Sequence, residues 1–369
     1  MPSPNILVKL APPEPTPVYD TYWRFAAERQ EVFFRRLQGN SPPWTEDSIL
    51  QQHKFTNVYR ASDRVSQFLI RNVLYHGIQA HDDTFFRCIL FKIFNRESTW
   101  RLLEEALGEI SYSKYSYERY NRVLDQARSH GVRIFSAAYI MPTHAADFHE
   151  TAKHRNYLAI LEKMMADQVP SRIARATSMR AAFEILVNYP LIGNFLAYQF
   201  ATDINYSELT NFSEMEFVMP GPGAKDGIRK CFTTIGDLSE ADVIRFVTDR
   251  QDAEFARLGL RFHSLWGRRL QLIDCQNLFC EVGKYARVAH PEFNGLTGRK
   301  RIKQRFTANS QLVHYMFPPK WGINQFIQRE SENPVGGSAF QGVLHFDPSP
   351  DYVPPPSNGA LIPRIHSHS

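Results

Sequence analysis

The chain has 369 residues, 43% of them apolar and 13% aromatic, enough to fill one large core or two smaller ones. Its 43 basic and 38 acidic residues leave a net charge of +5, which neither demands nor excludes a polyanionic partner. Four cysteines without a CxxC pair argue against a disulfide framework and point to a reducing intracellular compartment. No apolar run approaches the roughly 20 residues needed to cross a bilayer, so no membrane partner is expected. The opening "MPSPNILVKLAPPEPTPVYD" is too rich in proline for a targeting segment.

In chain order, residues 1–18 read as a Pro-rich disordered arm. "TYWRFAAERQEVFFRRL" then places Trp23, Ala26, Ala27, Phe33 and Phe34 near helical spacing, with Arg and Glu between them. Helices are also expected over "DRVSQFLIRNVLYH", over "DDTFFRCILFKIF" with caps at Asp82 and Asp83, and over "STWRLLEEAL" with Ser98 as N-cap. "SYERYNRVLDQARSH", "HETAKHRNYLAILEKMMADQ" and "MRAAFEILVNY" continue the pattern. "LSEADVIRFVTDRQDAEFARLG" opens with Ser239 and Asp242 at the spacing of a capping box. Only "GVRIFSAAYIMP" and "SAFQGVLHF" alternate like strands. The expected class is mostly α with at most a small strand element. A helical part over 19–175 precedes a second part over 176–346, and a Pro-rich disordered tail fills 347–369.

Two glycine turns carry the functional argument. "PLIGNFLA" resembles the turn of a helix-hairpin-helix, with Gly193 as its second glycine, Ala197 as the following alanine and Leu191 in place of the first glycine. Such a turn leaves backbone N–H groups at a helix start available to a DNA phosphate; it also fits an ordinary helix–helix corner. DNA glycosylases with this hairpin carry an acidic residue downstream of it, and Glu214 and Glu216 fall in that window. Their bifunctional members place a lysine where this chain has Phe195, so no Schiff-base lyase is expected. The second turn, "MPGPGAKDGIRKCF", holds Gly221 and Gly223 before a basic helix with Lys225, Arg229 and Lys230. It suits a phosphate or diphosphate, or simply turns a corner into a solvated helix. The Walker pattern GxxxxGKS/T is absent, so no P-loop kinase activity is expected of this sequence.

Together "FTNVYRASDRVSQFLI", "LFKIFNRESTW", "PLIGNFLAYQFATDINYS", "EFVMPGPGAKDGIRKCF" and "FCEVGKYAR" resemble the α-glutamyl/putrescinyl thymine pyrophosphorylases. The same module forms the helical domain of 5-hydroxymethyluracil DNA kinases. The resemblance implies a helix-hairpin-helix, DNA-glycosylase-like helical bundle that works on an extruded base in DNA carrying a modified pyrimidine. In that chemistry a 5-hydroxymethyl group, activated as a diphosphate, is displaced by an amine.

Carried onto matching positions, the resemblance implies proton transfer by Glu216, with Asp203 second, and leaving-group stabilisation by Arg60, Arg64 and Arg96. Asn57, Asp63, Asn95, Gln199, Glu281, Lys284 and Tyr285 would line the substrate site. Gly193, Gly221, Gly223, Lys225, Arg229 and Lys230 would bind phosphate. Asp63 also fits a plain helix cap, Asp203 an ion pair, and Arg96 a link between helices. A separate kinase or base-oxidising dioxygenase is the expected supplier of the activated base, and no cofactor is implied. A monofunctional glycosylase and a non-catalytic reader of modified bases are the rival readings.

Two further signals are weaker. His144, His149 and His154 are five apart and do not share a helix face, so no metal site is expected. "GRKRIKQRF" suits a solvated face, a DNA-backbone contact or a nuclear localisation signal; DNA contact with nuclear residence is the favoured reading.

Overall fold

The structure, a computed structural model, describes residues 10–138, 141–142, 152–308 and 313–327. Among them the chain is mostly α-helical, with one two-stranded sheet. In chain order the elements begin with β1 (Glu14–Pro15), α1 (Pro17–Leu37), α2 (Ser48–Gln52) and α3 (Arg64–Phe68). Next come α4 (His81–Phe94), α5 (Glu97–Leu107), α6 (Tyr117–Ser129), α7 (Lys153–Ala166) and α8 (Val169–Ala174). The hairpin helices α9 (Met179–Val187) and α10 (Asn194–Ile204) follow, then α11 (Pro222–Cys231) and β2 (Phe232–Thr234). The last are α12 (Glu240–Asp249), α13 (Gln251–Arg257) and α14 (Leu272–Ala289).

Contacts divide the described chain into two units, each assembled from separated stretches. The first takes its residues from 10–59 and 220–308, the second from 60–219 and 313–327. The division expected near residue 175 falls inside the second unit.

In the first unit, part of the expected N-terminal arm is built into the fold. β1 pairs antiparallel with β2, Thr16 caps α1 by accepting from the Val18 N–H, and the Thr16 N–H donates to the Cys231 carbonyl at 2.8 Å. Pro17 starts α1 where a missing N–H costs nothing. The buried face of α1 then packs aromatics onto α13 and α14: Tyr22 on Phe279 at 4.7 Å, Trp23 on Phe255 at 4.9 Å and Phe25 on Tyr285 at 5.4 Å. Each such side chain removed from water contributes about 1.5–3 kcal/mol.

The helices α11 and α14 cross closely because glycines line the crossing. A Cβ on Gly283 would lie 2.9 Å from the Gly227 Cα, one on Gly227 would meet the Phe279 carbonyl oxygen, and one on Gly223 would meet the Cys280 Sγ. The capping box of Ser239 and Asp242 is present at the start of α12.

The second unit is built around α4, buried at every position from Asp83 to Phe94. Its apolar side chains lie all round the helix, so it sits inside its unit with Asp83, Arg87 and Lys92 each paired there, and α7, α8 and α10 pack against it. The expected caps differ here. Ala80 occupies the N-cap of α4 while Asp83 accepts from the Tyr112 N–H at 2.8 Å, and Arg96 rather than Ser98 occupies the N-cap of α5.

The helix expected over "DRVSQFLIRNVLYH" passes from α3 into a π-helical turn, Leu69–Leu74. Arg87 stabilises the end of that turn, donating Nε to the Val73 carbonyl at 2.8 Å and Nη2 to the Leu74 carbonyl at 3.4 Å. Residues 313–327 return to this unit, where the Met316 N–H donates to Gln67 Oε1 and Lys320 Nζ to the Ser207 and Thr210 carbonyls.

The described part of "GVRIFSAAYIMP" forms no strand; "SAFQGVLHF", the tail from 347, His144 and His149 lie outside the described residues. His154 is buried in α7, 3.2 Å from Asp125, and no group among the described residues could hold a metal ion. No helix among them is long and apolar enough to cross a membrane.

Candidate functional site

The second unit contains a buried polar cluster made by three separated segments. Arg60 opens a short 3-10 turn, Arg60–Ser62, ahead of α3. Gln199 and Asp203 lie four residues apart on α10, and so on one face. Lys92 and Asn95 come from the end of α4, where Asn95 adopts the left-handed conformation (φ 48°) that closes the helix.

Arg60 grips Asp203 with both guanidinium arms, Nη1 to Oδ1 at 2.7 Å and Nη2 to Oδ2 at 2.9 Å, and donates Nε to Gln199 Oε1 at 3.1 Å. Lys92 Nζ lies 3.0 Å from Asp203 Oδ2 and donates to Asn95 Oδ1 at 2.8 Å. The Arg60 guanidinium also sits over the Tyr206 ring, 5.5 Å from its centroid, and Trp321 meets the same ring edge-on at 5.6 Å. Asp203 is 0% exposed, and Arg60 and Lys92 are 3% each.

Two cations and one carboxylate leave this cluster with one excess positive charge. Burial would push the Asp203 carboxyl up, but Arg60 and Lys92 outweigh it and hold the group below its ordinary range. A carboxylate so strongly held in its ionised form is a weak proton acceptor. The cluster therefore fixes α4, α10 and the Arg60 turn together.

Around this cluster the other implied residues take varied places. Arg64, one turn beyond Arg60, is exposed and pairs with Glu97 at 3.0 Å; next to Glu97, Arg96 donates Nε to Ser98 Oγ at 2.7 Å. Asp63 occupies the N-cap of α3, but its side chain makes no capping bond. Glu216 is exposed on the segment after α10, beside the buried Phe217 that packs on Phe183 and Tyr198. Lys92, Tyr206 and Trp321 are additions that the sequence reading missed. A lysine inside the apolar run "FFRCILFKIF" was the available signal for the first, since such a charge needs a buried partner.

The hairpin departs from common stereochemistry at one residue. Leu191 has φ +65°, so the left-handed position of the turn falls where the motif has its first glycine. An L side chain there costs about 1–2 kcal/mol. Leu191→Gly should therefore leave the melting temperature unchanged or raised, whereas Leu191→Val should lower it through a loss of about 1 kcal/mol of stability. Calorimetry of the two variants checks this.

Gly193 is the N-cap of α10, with an ordinary φ of −76° and no side-chain cap. It is exposed, and a Cβ on it would meet nothing within 4 Å. Neither packing nor backbone torsion requires glycine at this position, which leaves its modest preference as an N-cap.

In the first unit, Gly221 is the N-cap of α11, Lys225 lies 3.8 Å from Glu240 and Arg229 is exposed. Gly223 is used by the helix crossing, and Lys230 is buried with its Nζ on the Gly283 carbonyl at 2.8 Å. Burial pushes the Lys230 ammonium below its ordinary pKa. Glu281 accepts from the Thr56 N–H at 2.9 Å and from Lys284 at 2.7 Å, while Lys284 also donates to the Lys54 carbonyl at 2.8 Å. Tyr285 donates to Asp47 Oδ2 at 2.7 Å, and Asp47 Oδ1 caps α2. Glu281, Lys284 and Tyr285 thus bind α14 to α2 and the segment after it. Asn57 is half-buried at the end of that segment.

Fold and cluster together define a mostly α-helical protein with a cation-rich polar centre beside a helical hairpin. The chain belongs to the family described as the helical domain of 5-hmdU DNA kinases, which matches residues 16–295. The 5-hmdU DNA kinase of Bacillus phage SP10 is 27% identical over 339 residues, covering 86% of this chain and 52% of the phage protein. The chain thus spans about half the length of that curated relative. No solved structure matches the chain significantly.

Proposed function

We propose that the protein takes part in DNA base hypermodification, acting on a flipped 5-substituted pyrimidine. The observation that carries this reading is the family match over residues 16–295, which includes Arg60, Lys92, Asn95, Gln199, Asp203 and Tyr206 of the buried cluster. In the reaction inferred, the nitrogen of an amine attacks the methylene of a 5-hydroxymethylpyrimidine diphosphate. The C–N bond forms as the C–O bond breaks, diphosphate leaves, and the surplus amine proton passes to a carboxylate.

Each step asks for a chemistry that the second unit can supply. The exposed Arg64 and the half-buried Arg96 suit the charge that builds on the departing diphosphate. Glu216, exposed and beside aromatic side chains, suits the proton acceptor better than Asp203, which is fully committed to two cations. The base would be held by apolar and aromatic walls once extruded. Activation of the hydroxymethyl group is assigned to a kinase activity outside this helical part, since no Walker loop occurs in this sequence.

Gly193 supports a phosphate grip at the hairpin, because close backbone approach is a reason for glycine where packing and torsion supply none. Gly193→Val should stay folded, losing only the roughly 1 kcal/mol expected of a poorer N-cap, and weaken duplex binding at low salt by about tenfold, the worth of a lost charge-assisted contact. A folded variant with wild-type affinity would remove the hairpin from the DNA site.

The test of the function is mass spectrometry of duplex oligonucleotides carrying thymine, 5-hydroxymethyluracil, its diphosphate or 5-hydroxymethylcytosine. Each is incubated with the protein and a mixture of amines and amino acids. An amine-sized mass gain with release of diphosphate is expected. Loss of the base would instead make the protein a glycosylase, and selective binding without a mass change would make it a reader.

A further inference from the structure

The basic run near the end of the first unit is a built surface. Thr297 N–H donates to Asp226 Oδ1 at 2.8 Å, and Arg287 Nη1 to the Arg301 carbonyl at 3.4 Å. Lys54 N–H donates to the Gln304 carbonyl at 3.1 Å, and Phe306 N–H to the Gln52 carbonyl at 3.0 Å. Ile302 is the anchor, 7% exposed, and Phe306 packs on Trp44 at 6.3 Å. Between these attachments Arg299, Lys300, Arg301, Lys303 and Arg305 are all exposed, as is the neighbouring Lys54.

Charge is one-sided along this ribbon. From residue 291 to residue 305 there is a single acidic residue, Glu292, against those five cations. The acidic groups beneath are already engaged, Asp226 with Thr297 and Glu281 with Thr56 and Lys284. At an extended rise, Arg299 to Arg305 reaches about 20 Å, a length over which one DNA strand presents about six phosphates.

A localisation signal is read as a peptide drawn into a receptor groove. Extracting this one would break its backbone bonds and expose Ile302. A ribbon anchored from below, with its cations outward, suits a rigid polyanion instead.

We propose that this anchored ribbon is a contact for the phosphate backbone of duplex DNA, in addition to the hairpin. The proposal rests on the reading of the protein as one that acts on DNA. It is tested on the full chain with a variant combining Lys300→Gln, Arg301→Gln, Lys303→Gln and Arg305→Gln, with Ile302 kept. Fluorescence anisotropy with an unmodified duplex is followed between about 50 and 200 mM salt, the range over which phosphate contacts are most visible.

The variant should melt like the wild type, bind about 100-fold or more weakly at the lowest salt, and show a salt slope shallower by about 3 to 4. An unchanged slope in the folded variant overturns the ribbon and leaves the proposed function intact, most plainly if base modification continues. Loss of binding to vesicles with anionic headgroups, with duplex binding retained, would overturn it in favour of a lipid surface. If the wild type binds no duplex at all, the ribbon and the DNA reading fail together.

Discussion

Asp203→Ala is expected to lower the stability of the second unit by about 3–5 kcal/mol, because it leaves two buried cations without their counter-charge. Arg60 and Lys92 are each 3% exposed and have no route to water short of local unfolding. At the slope usual for a unit of this size, the melting temperature should fall by roughly 10 °C. Differential scanning calorimetry of the wild type, Asp203→Ala and Asp203→Asn measures the loss. Asparagine keeps the shape and some hydrogen bonds but not the charge, so it should lie close to alanine if charge compensation is the cause. An asparagine variant as stable as the wild type would show that shape, not charge, is what the site needs.

The same group sets an acid limit. Its folded pKa lies below the ordinary value of 3.8, held there by Arg60 and Lys92 against the effect of burial, so the unfolded state binds the proton more readily. The stability it contributes is fully present above 3.8 and is lost as pH falls through the lower folded value. Wild-type stability should therefore drop in that acid window by an amount that Asp203→Asn does not show. Parallel pH dependences for the two proteins would contradict the assignment.

The second large effect is expected at the helix crossing of the first unit. Gly227→Ala adds a methyl group directed at the Phe279 carbonyl, and Gly283→Ala adds one directed at the Gly227 backbone. Neither neighbour is the flexible end of a side chain. The helices α11 and α14 must move apart, which costs about 3 kcal/mol or more. They would also loosen the Lys230 bond to the Gly283 carbonyl and the aromatic packing of α1 on Phe279. Calorimetry should show a lowered melting temperature in both variants, whereas Gly259→Ala, in a turn with open space around its Cβ but φ +62°, should cost only the backbone strain of about 1 kcal/mol. Wild-type stability in Gly227→Ala would mean that the helices do not approach as described.

The family follows from ordered sequence segments, and no tertiary information was needed to see the resemblance. Its site is less legible. "SDRVSQ", "NREST" and "ATDIN" announce polar residues in apolar surroundings, but they do not announce that Arg60 meets Asp203 across 143 positions or that Lys92 joins them. Asp63 shows the converse, a residue whose local pattern suggests a cap and whose side chain makes no capping bond. Lys230 belongs to a basic helix in the sequence and to the interior of a helix pair in the structure.

By itself the sequence determined the helices whose burial is one-sided: α6, α9 and α12 have apolar residues at helical spacing, and their Ser caps lie where the pattern begins. Tertiary structure decided α14, buried around most of its circumference and so without a legible polar face, and the π-helical turn that Arg87 completes from α4. It also decided which glycines serve packing and which stands exposed at the hairpin. The physical reason is range. Periodicity and caps are interactions between residues three or four apart, written in consecutive letters, whereas ion pairs and helix crossings join residues that meet only after the helices have packed.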